Sequence, residues 1–171
     1  VAAGRFACID RLRSDVASPA LFAGPGFATG TGQVAALNRR SSDGAYYNLD
    51  GSGRPLPNGP QNAVSRGDVI EIFATGTGFV PNAPPDGQPP TGAVPTPEKP
   101  QVIVGTGFVS DSDILYSGLA PGLVGVWQLN IRIPNTVAPG NNVRVVVVYK
   151  SIPSNNPQNP AQIVTTIAVK Q

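Results

Sequence analysis

Between Gly125 and Pro134 the chain alternates without interruption, Trp127, Leu129, Ile131 and Ile133 taking turns with Gln128, Asn130 and Arg132. On a pleated backbone this spacing puts every apolar group on one face and every polar group on the other, and so predicts a half-buried β-strand. Residues 142–150 (NVRVVVVYK) are so rich in β-branched side chains that the middle is apolar on both faces. That pattern predicts an interior strand bounded by Arg144 and Lys150. Residues 161–170 and 68–75 read as strands in the same way, with shorter candidates at 33–38, 100–105 and 114–117.

Helical spacing of apolar residues over three turns appears nowhere. The 20 glycines and 19 prolines interrupt almost every window long enough to hold it. Strands separated by Gly, Pro and Asn turns predict an all-β fold, a single antiparallel Ig-like β-sandwich whose two sheets bury their facing sides. At 171 residues the chain suffices for one such core. Two punctuated stretches, residues 41–66 and 80–99, predict long Pro/Gly-rich loops, the second extended and polyproline-like along a sheet surface. Short echoes, ATGTG at 28–32 and 74–78 and VGTGF at 104–108, share no fixed period and read as turns in which glycine supplies positive φ. The domain is placed at residues 18–171, preceded by a segment, 1–17, without a core of its own.

Composition narrows the function. Charged residues make up 13% of the chain and the net charge is +2. A nucleic-acid partner needs clustered Lys and Arg to neutralise phosphates, so none is expected. Histidine is absent and Cys8 is the single thiol. The common metal-ligand sets and His-based acid-base chemistry therefore have no material, and neither a metal, a cofactor nor an enzymatic activity is expected. The longest uncharged windows, 16–38 and 114–131, are broken by Pro and Gly, so no membrane span is expected. The chain opens on Val1 with no apolar leader, since residues 1–16 carry Arg5, Asp10, Arg11, Arg13 and Asp15. That start fits a processed, exported protein or a fragment of a longer one.

An ordered series of short motifs runs through the same strands and turns. It comprises Pro19-Ala-Leu-Phe22, Gly32-Gln-Val-Ala-Ala-Leu-Asn38, Asp50-Gly-Ser52, Arg66-Gly-Asp-Val69, Ile72-Phe-Ala-Thr-Gly-Thr-Gly78 and Asp86-Gly-Gln88. Leu115-Tyr-Ser-Gly-Leu-Ala-Pro-Gly-Leu-Val124, Trp127-Gln-Leu-Asn-Ile-Arg-Ile-Pro134 and Ile167-Ala-Val169 complete it. The series resembles the Solibacter-type C-terminal domain, a bacterial family of β-rich modules. The resemblance covers residues 18–170 and rests on the order of many motifs rather than on any one. It implies an Ig-like fold and export, and brings no activity, ligand or catalytic residue with it. Two features depart from the pattern: the leading segment, and an enlarged turn between Asn38 and Asp50.

Candidate chemistry is sparse. Asp43-Gly44 and Asp50-Gly-Ser-Gly53 lack the alternating carboxylates and closing Glu of a calcium loop and read as turns. Asp111 and Asp113 read as a solvated loop, and Arg66-Gly67-Asp68 as the turn entering a strand. In the leading segment Phe6, Cys8 and Ile9 predict a short strand that either pairs within its own domain or adds to an open edge of a neighbour. The expected function is a non-enzymatic extracellular or cell-surface structural subunit, a homopolymer assembled like a filament or pilus by strand complementation, with Phe6, Cys8 and Ile9 as subunit contacts. The alternative is an adhesion or carbohydrate-binding module in which Tyr46 and Tyr47 offer a stacking surface.

Overall fold

A computed structural model describes residues 17–24, 32–155 and 165–171. In chain order its strands are β1 (Ala20–Leu21), β2 (Gly32–Gln33), β3 (Ala36–Arg39), β4 (Val64–Ser65), β5 (Val69–Thr75), β6 (Val94–Pro95) and β7 (Gln101–Val104). They continue with β8 (Gly107–Phe108), β9 (Ile114–Leu119), β10 (Trp127–Arg132), β11 (Gly140–Tyr149), β12 (Ile152–Pro153) and β13 (Thr165–Lys170). The one helical turn among the described residues is a 3-10 turn at Asp111–Asp113. No helix there is long and apolar enough to cross a membrane.

The strands form two packed sheets, a β-sandwich. One runs β1–β5–β10–β9–β6, with β3 beside β1 along β5, and is antiparallel throughout. The other runs β2–β13–β11–β7–β8, with β4 beside β2 and β12 on the end of β11. Both β2 and β4 lie parallel to β13, where a wholly antiparallel sheet was expected. Each is a two-residue piece laid down by chain arriving from elsewhere, so its direction follows its route and no hairpin sets it.

Alternation in β10 does what its sequence predicts. Trp127, Leu129 and Ile131 are buried, and Gln128, Asn130 and Arg132 are not. They meet Ile70, Ile72 and Ala74 of β5 and, across the sandwich, Val145, Val147 and Tyr149 of β11. Trp127 and Tyr149 join the sheets, their ring centroids 5.2 Å apart. Ala17 is also buried in this core, so the sandwich includes at least one residue before the sequence-based boundary.

The two long loops carry more structure than expected. Val94 and Pro95 pair with Leu119 and Gly118, so the proline-rich loop contributes an edge strand, the one place in a sheet where proline costs no ladder bond. Residues 40–63 fold back on the first sheet and supply two buried asparagines, Asn58 and Asn62, which join the buried Asn38 of β3. Asn58 donates through Nδ2 to the Ala168 carbonyl (2.9 Å) and to Asn38 Oδ1 (3.0 Å), and accepts from the Ala168 N–H (2.8 Å). Its amide thus stands in for a strand in the gap that β2 and β4 leave along β13.

Asn155 does the same for β1, accepting from Leu21 N–H (2.6 Å) and donating to its carbonyl (2.8 Å). One side of the sandwich is therefore sealed by the chain's own groups. Among the described residues the other side is covered by short pieces: β6, prolonged by the Thr96 N–H to the Ser117 carbonyl (2.9 Å), over half of β9, and β8, prolonged by the Val109 N–H to the Val102 carbonyl (2.8 Å), over β7.

Candidate functional site

The two ends of the sandwich differ from its flanks in what they expose. At one end β5 finishes at Thr75, Ser18 donates its N–H to the Gly76 carbonyl (2.8 Å), and the β9–β10 turn closes nearby. This end carries Phe79, 60% exposed, with Leu123 and Val124 about half exposed. It is also where the described residues begin, at Ala17. At the opposite end lie the β7–β8 turn and the β10–β11 connection. Phe108 stands there 70% exposed, beside a cleft of about 310 Å³ lined by Val104, Pro134, Val137 and Ala138. Among the described residues, four of the seven large exposed apolar side chains thus sit on the two end faces.

Both end phenylalanines follow the same three-residue word, Gly-Thr-Gly, at 76–78 and 105–107. Its glycines do supply turns, with φ of +86° at Gly76 and +65° at Gly105. A Cβ on Gly76 would lie 1.8 Å from the Ser18 carbonyl oxygen, so this close approach admits no side chain. Sequence reasoning read the echo as turn chemistry and missed the residue after it. A large aromatic placed directly after a turn is the signal that was available.

Phe6, Cys8 and Ile9 lie outside the described residues. Tyr46 and Tyr47 lie on the enlarged loop after β3, and each is tied to a carboxylate. Tyr46 donates to Glu71 Oε2 (2.8 Å) and accepts from Arg39 Nη2 (2.6 Å), while Arg39 Nε donates to Glu71 Oε1 (2.6 Å). The loop covers Glu71 so fully that only 2% of it is exposed, although it points outward from β5. Burial first, then the Glu71 carboxylate, pushes the Tyr46 hydroxyl above its ordinary pKa.

Tyr47 donates to Asp68 Oδ2 and accepts from the Ser65 N–H (3.0 Å). Burial, then Asp68, pushes the Tyr47 hydroxyl up as well. Asp68 is pushed upward by burial, but the Ser41 N–H and the hydroxyls of Tyr47 and Ser41 outweigh this and hold its carboxyl below the usual range. One face of each ring carries a cation: the Arg39 guanidinium lies 4.0 Å from the Tyr46 centroid, and the Lys170 ammonium 5.2 Å from that of Tyr47. An open hollow of about 670 Å³ borders both tyrosines, with Arg40, Leu49 and Pro55 around it. The pair is a structural strut with one accessible side.

Asp43, Asp50, Asp111 and Asp113 sit in turns. Asp50 accepts from the Arg54 N–H (2.9 Å) and from Ser52, which hold its pKa down, and Asp43 pairs with Arg40 (3.0 Å). Asp111 and Asp113 sit in the 3-10 turn, Asp113 facing Arg132 at 3.5 Å. Gly67 of the Arg66-Gly67-Asp68 triplet turns the chain into β5 at φ +82°. No cluster of three His, Cys, Asp or Glu side chains with metal-binding geometry occurs among the described residues. Comparison of the chain with protein-family models, curated proteins and solved structures finds no match, so no family is assigned to it.

Proposed function

We propose that this protein is a non-enzymatic structural subunit that stacks head to tail with copies of itself outside the cell, in a filament completed by β-strand complementation. The observation that carries this reading is the opposition of Phe79, Leu123 and Val124 at one end to Phe108 and its cleft at the other. Two different patches on opposite ends make a heterologous contact, which propagates into an open polymer unless the rotation closes a ring. Sparse charge, 22 Lys, Arg, Asp and Glu residues in 171, lowers the desolvation cost of such packing.

Magnitudes explain why strand exchange belongs to the proposal. Burying four side chains already partly shielded yields about 1 kcal/mol apiece. Association costs about 4 kcal/mol at the least, and up to about 15. End-to-end stacking alone breaks even at best, and ladder hydrogen bonds to an added strand supply the surplus. The sparsely covered β6/β9 and β7/β8 side offers the rims for it.

Light scattering after size exclusion, together with negative-stain microscopy across a range of concentrations, tests the reading. Threads that lengthen with concentration and vanish on removing residues 1–16 are expected. A monomer at every concentration refutes it. A second reading, a cell-surface adhesion or carbohydrate-binding module, is favoured by the hollow against Tyr46 and Tyr47. Glycan-array binding lost in Tyr46→Ala or Tyr47→Ala would establish it.

A further inference from the structure

The cleft beside Phe108 has the features of a receptor for a single apolar anchor. Its lining, from Val104 to Phe108 and at Pro134 and residues 136–138, contains no charged residue. At about 310 Å³ it is large enough for one aromatic side chain. Its rim offers backbone as well. Val109 donates to the Val102 carbonyl (2.8 Å) and Gly107 pairs with Val104, so by antiparallel alternation Phe108, between them, turns its own N–H and C=O away from β7. A strand laid along β8 gains both.

Resting on the head-to-tail reading above, we infer that this cleft receives the leading segment of a second copy of the chain, with Phe6 as the anchor and residues 6–9 added as a strand to β8. Phe6 is the one aromatic residue in the first sixteen, and in a strand it shares a face with Cys8. Geometry selects the neighbour over the segment's own sandwich. The described residues begin at the Thr75 end beside β1, whereas the cleft lies at the other end of the strands and on the far edge of the second sheet. That path runs roughly 25 Å along the strands, 19 Å across four strand spacings and 10 Å between the sheets, about 41 Å over the surface when the first two legs are taken as a diagonal. A fully extended chain from Ala17 back to Phe6 reaches about 36–40 Å, which leaves no slack. In a head-to-tail stack the Ala17 end of one subunit faces the cleft end of the next, and the same segment spans the junction easily.

The test uses the full chain carrying Thr106→Cys, an exposed position at the mouth of the cleft, with native Cys8 retained. Mild oxidation, a non-reducing gel and intact mass then read the linkage. A ladder of trimers and longer species is expected, because Cys8 of one copy meets the introduced thiol of the next, whereas the unmodified chain with its single thiol can give dimers at most. A disulfide closed within one chain, or polymers that fail to cross-link, overturns the inference.

A second variant guards against poor thiol geometry. Phe108→Asp, at a side chain 70% exposed, is expected to leave the denaturation midpoint unchanged and to raise the concentration needed for assembly at least tenfold. Threads that weaken in Phe108→Asp yet give no Cys8 cross-link refute the Phe6 anchor while sparing the stacking reading, and threads unaffected by Phe108→Asp refute both. An unmodified chain that never assembles refutes both.

Discussion

Replacing Asn58 with alanine removes one small side chain and strands three buried partners. The Ala168 N–H and C=O lose the amide that substitutes for a neighbouring strand, and Asn38 Oδ1 loses its donor. Ala168 and Asn38 are essentially inaccessible, so water does not reach these groups in the intact fold. A buried polar group left unpaired costs about 1–3 kcal/mol. Three of them give a loss of roughly 4 kcal/mol once water enters the vacated space, against a total stability of about 5–15 kcal/mol.

Urea unfolding followed by the emission of the single tryptophan, Trp127, reads that loss. Asn58→Asp sharpens the reasoning, because it keeps the acceptor for the Ala168 N–H but turns a charged oxygen toward a carbonyl and toward Asn38 Oδ1. Its penalty is expected to be at least as large at neutral pH and to shrink in acid, where protonation restores one donor. A loss below about 1 kcal/mol for Asn58→Ala would refute the claim that this side chain closes the sheet edge.

Tyr47→Phe removes a donor that helps hold the Asp68 carboxyl below its ordinary pKa. A depressed carboxylate pKa stabilises the fold above the unfolded value and loses that contribution as pH falls through the folded one. The stability gap between wild type and Tyr47→Phe is therefore expected at neutral pH and to narrow below about pH 4, as urea midpoints measured against pH would show. Gly76→Ala, whose Cβ would collide with the Ser18 carbonyl, is expected to cost about 2–4 kcal/mol and to loosen the start of β1, seen as lost amide protection around residues 18–21. Trp127→Ala is expected to cost about 3–5 kcal/mol by calorimetry, and Trp127→Phe, which mainly forfeits the Nε1 bond to Ser117 Oγ (3.0 Å), only about 1–2.

What the sequence made legible were strands long enough to show a period. The alternation of residues 127–133 and the β-branched run at 142–150 correspond to β10 and β11, because six or more residues facing one core must repeat every second position. Two-residue strands carry no period, so β4 and β6 disappeared into loops, and residues 33–38 read as one strand where the chain leaves one sheet and joins the other between β2 and β3. The sealing of β13 by Asn58 was hidden for another reason. Its partner Ala168 is 110 residues away, and an asparagine between Pro57 and Gly59 looks like turn chemistry. Glu71 sat at an outward position in its strand, and only the fold of the enlarged loop buries it. The end faces were invisible because exposure of Phe79 and Phe108 depends on where the turns point.

The repeat of the assembled thread tests the central claim most directly. Electron microscopy of the full chain is predicted to show single-file subunits, stacked along their strands with an axial spacing of about 35–40 Å, the length of the ten-residue β11 plus its turns. Discrete single sandwiches, or subunits joined flank to flank at a spacing set by sheet width, would contradict it.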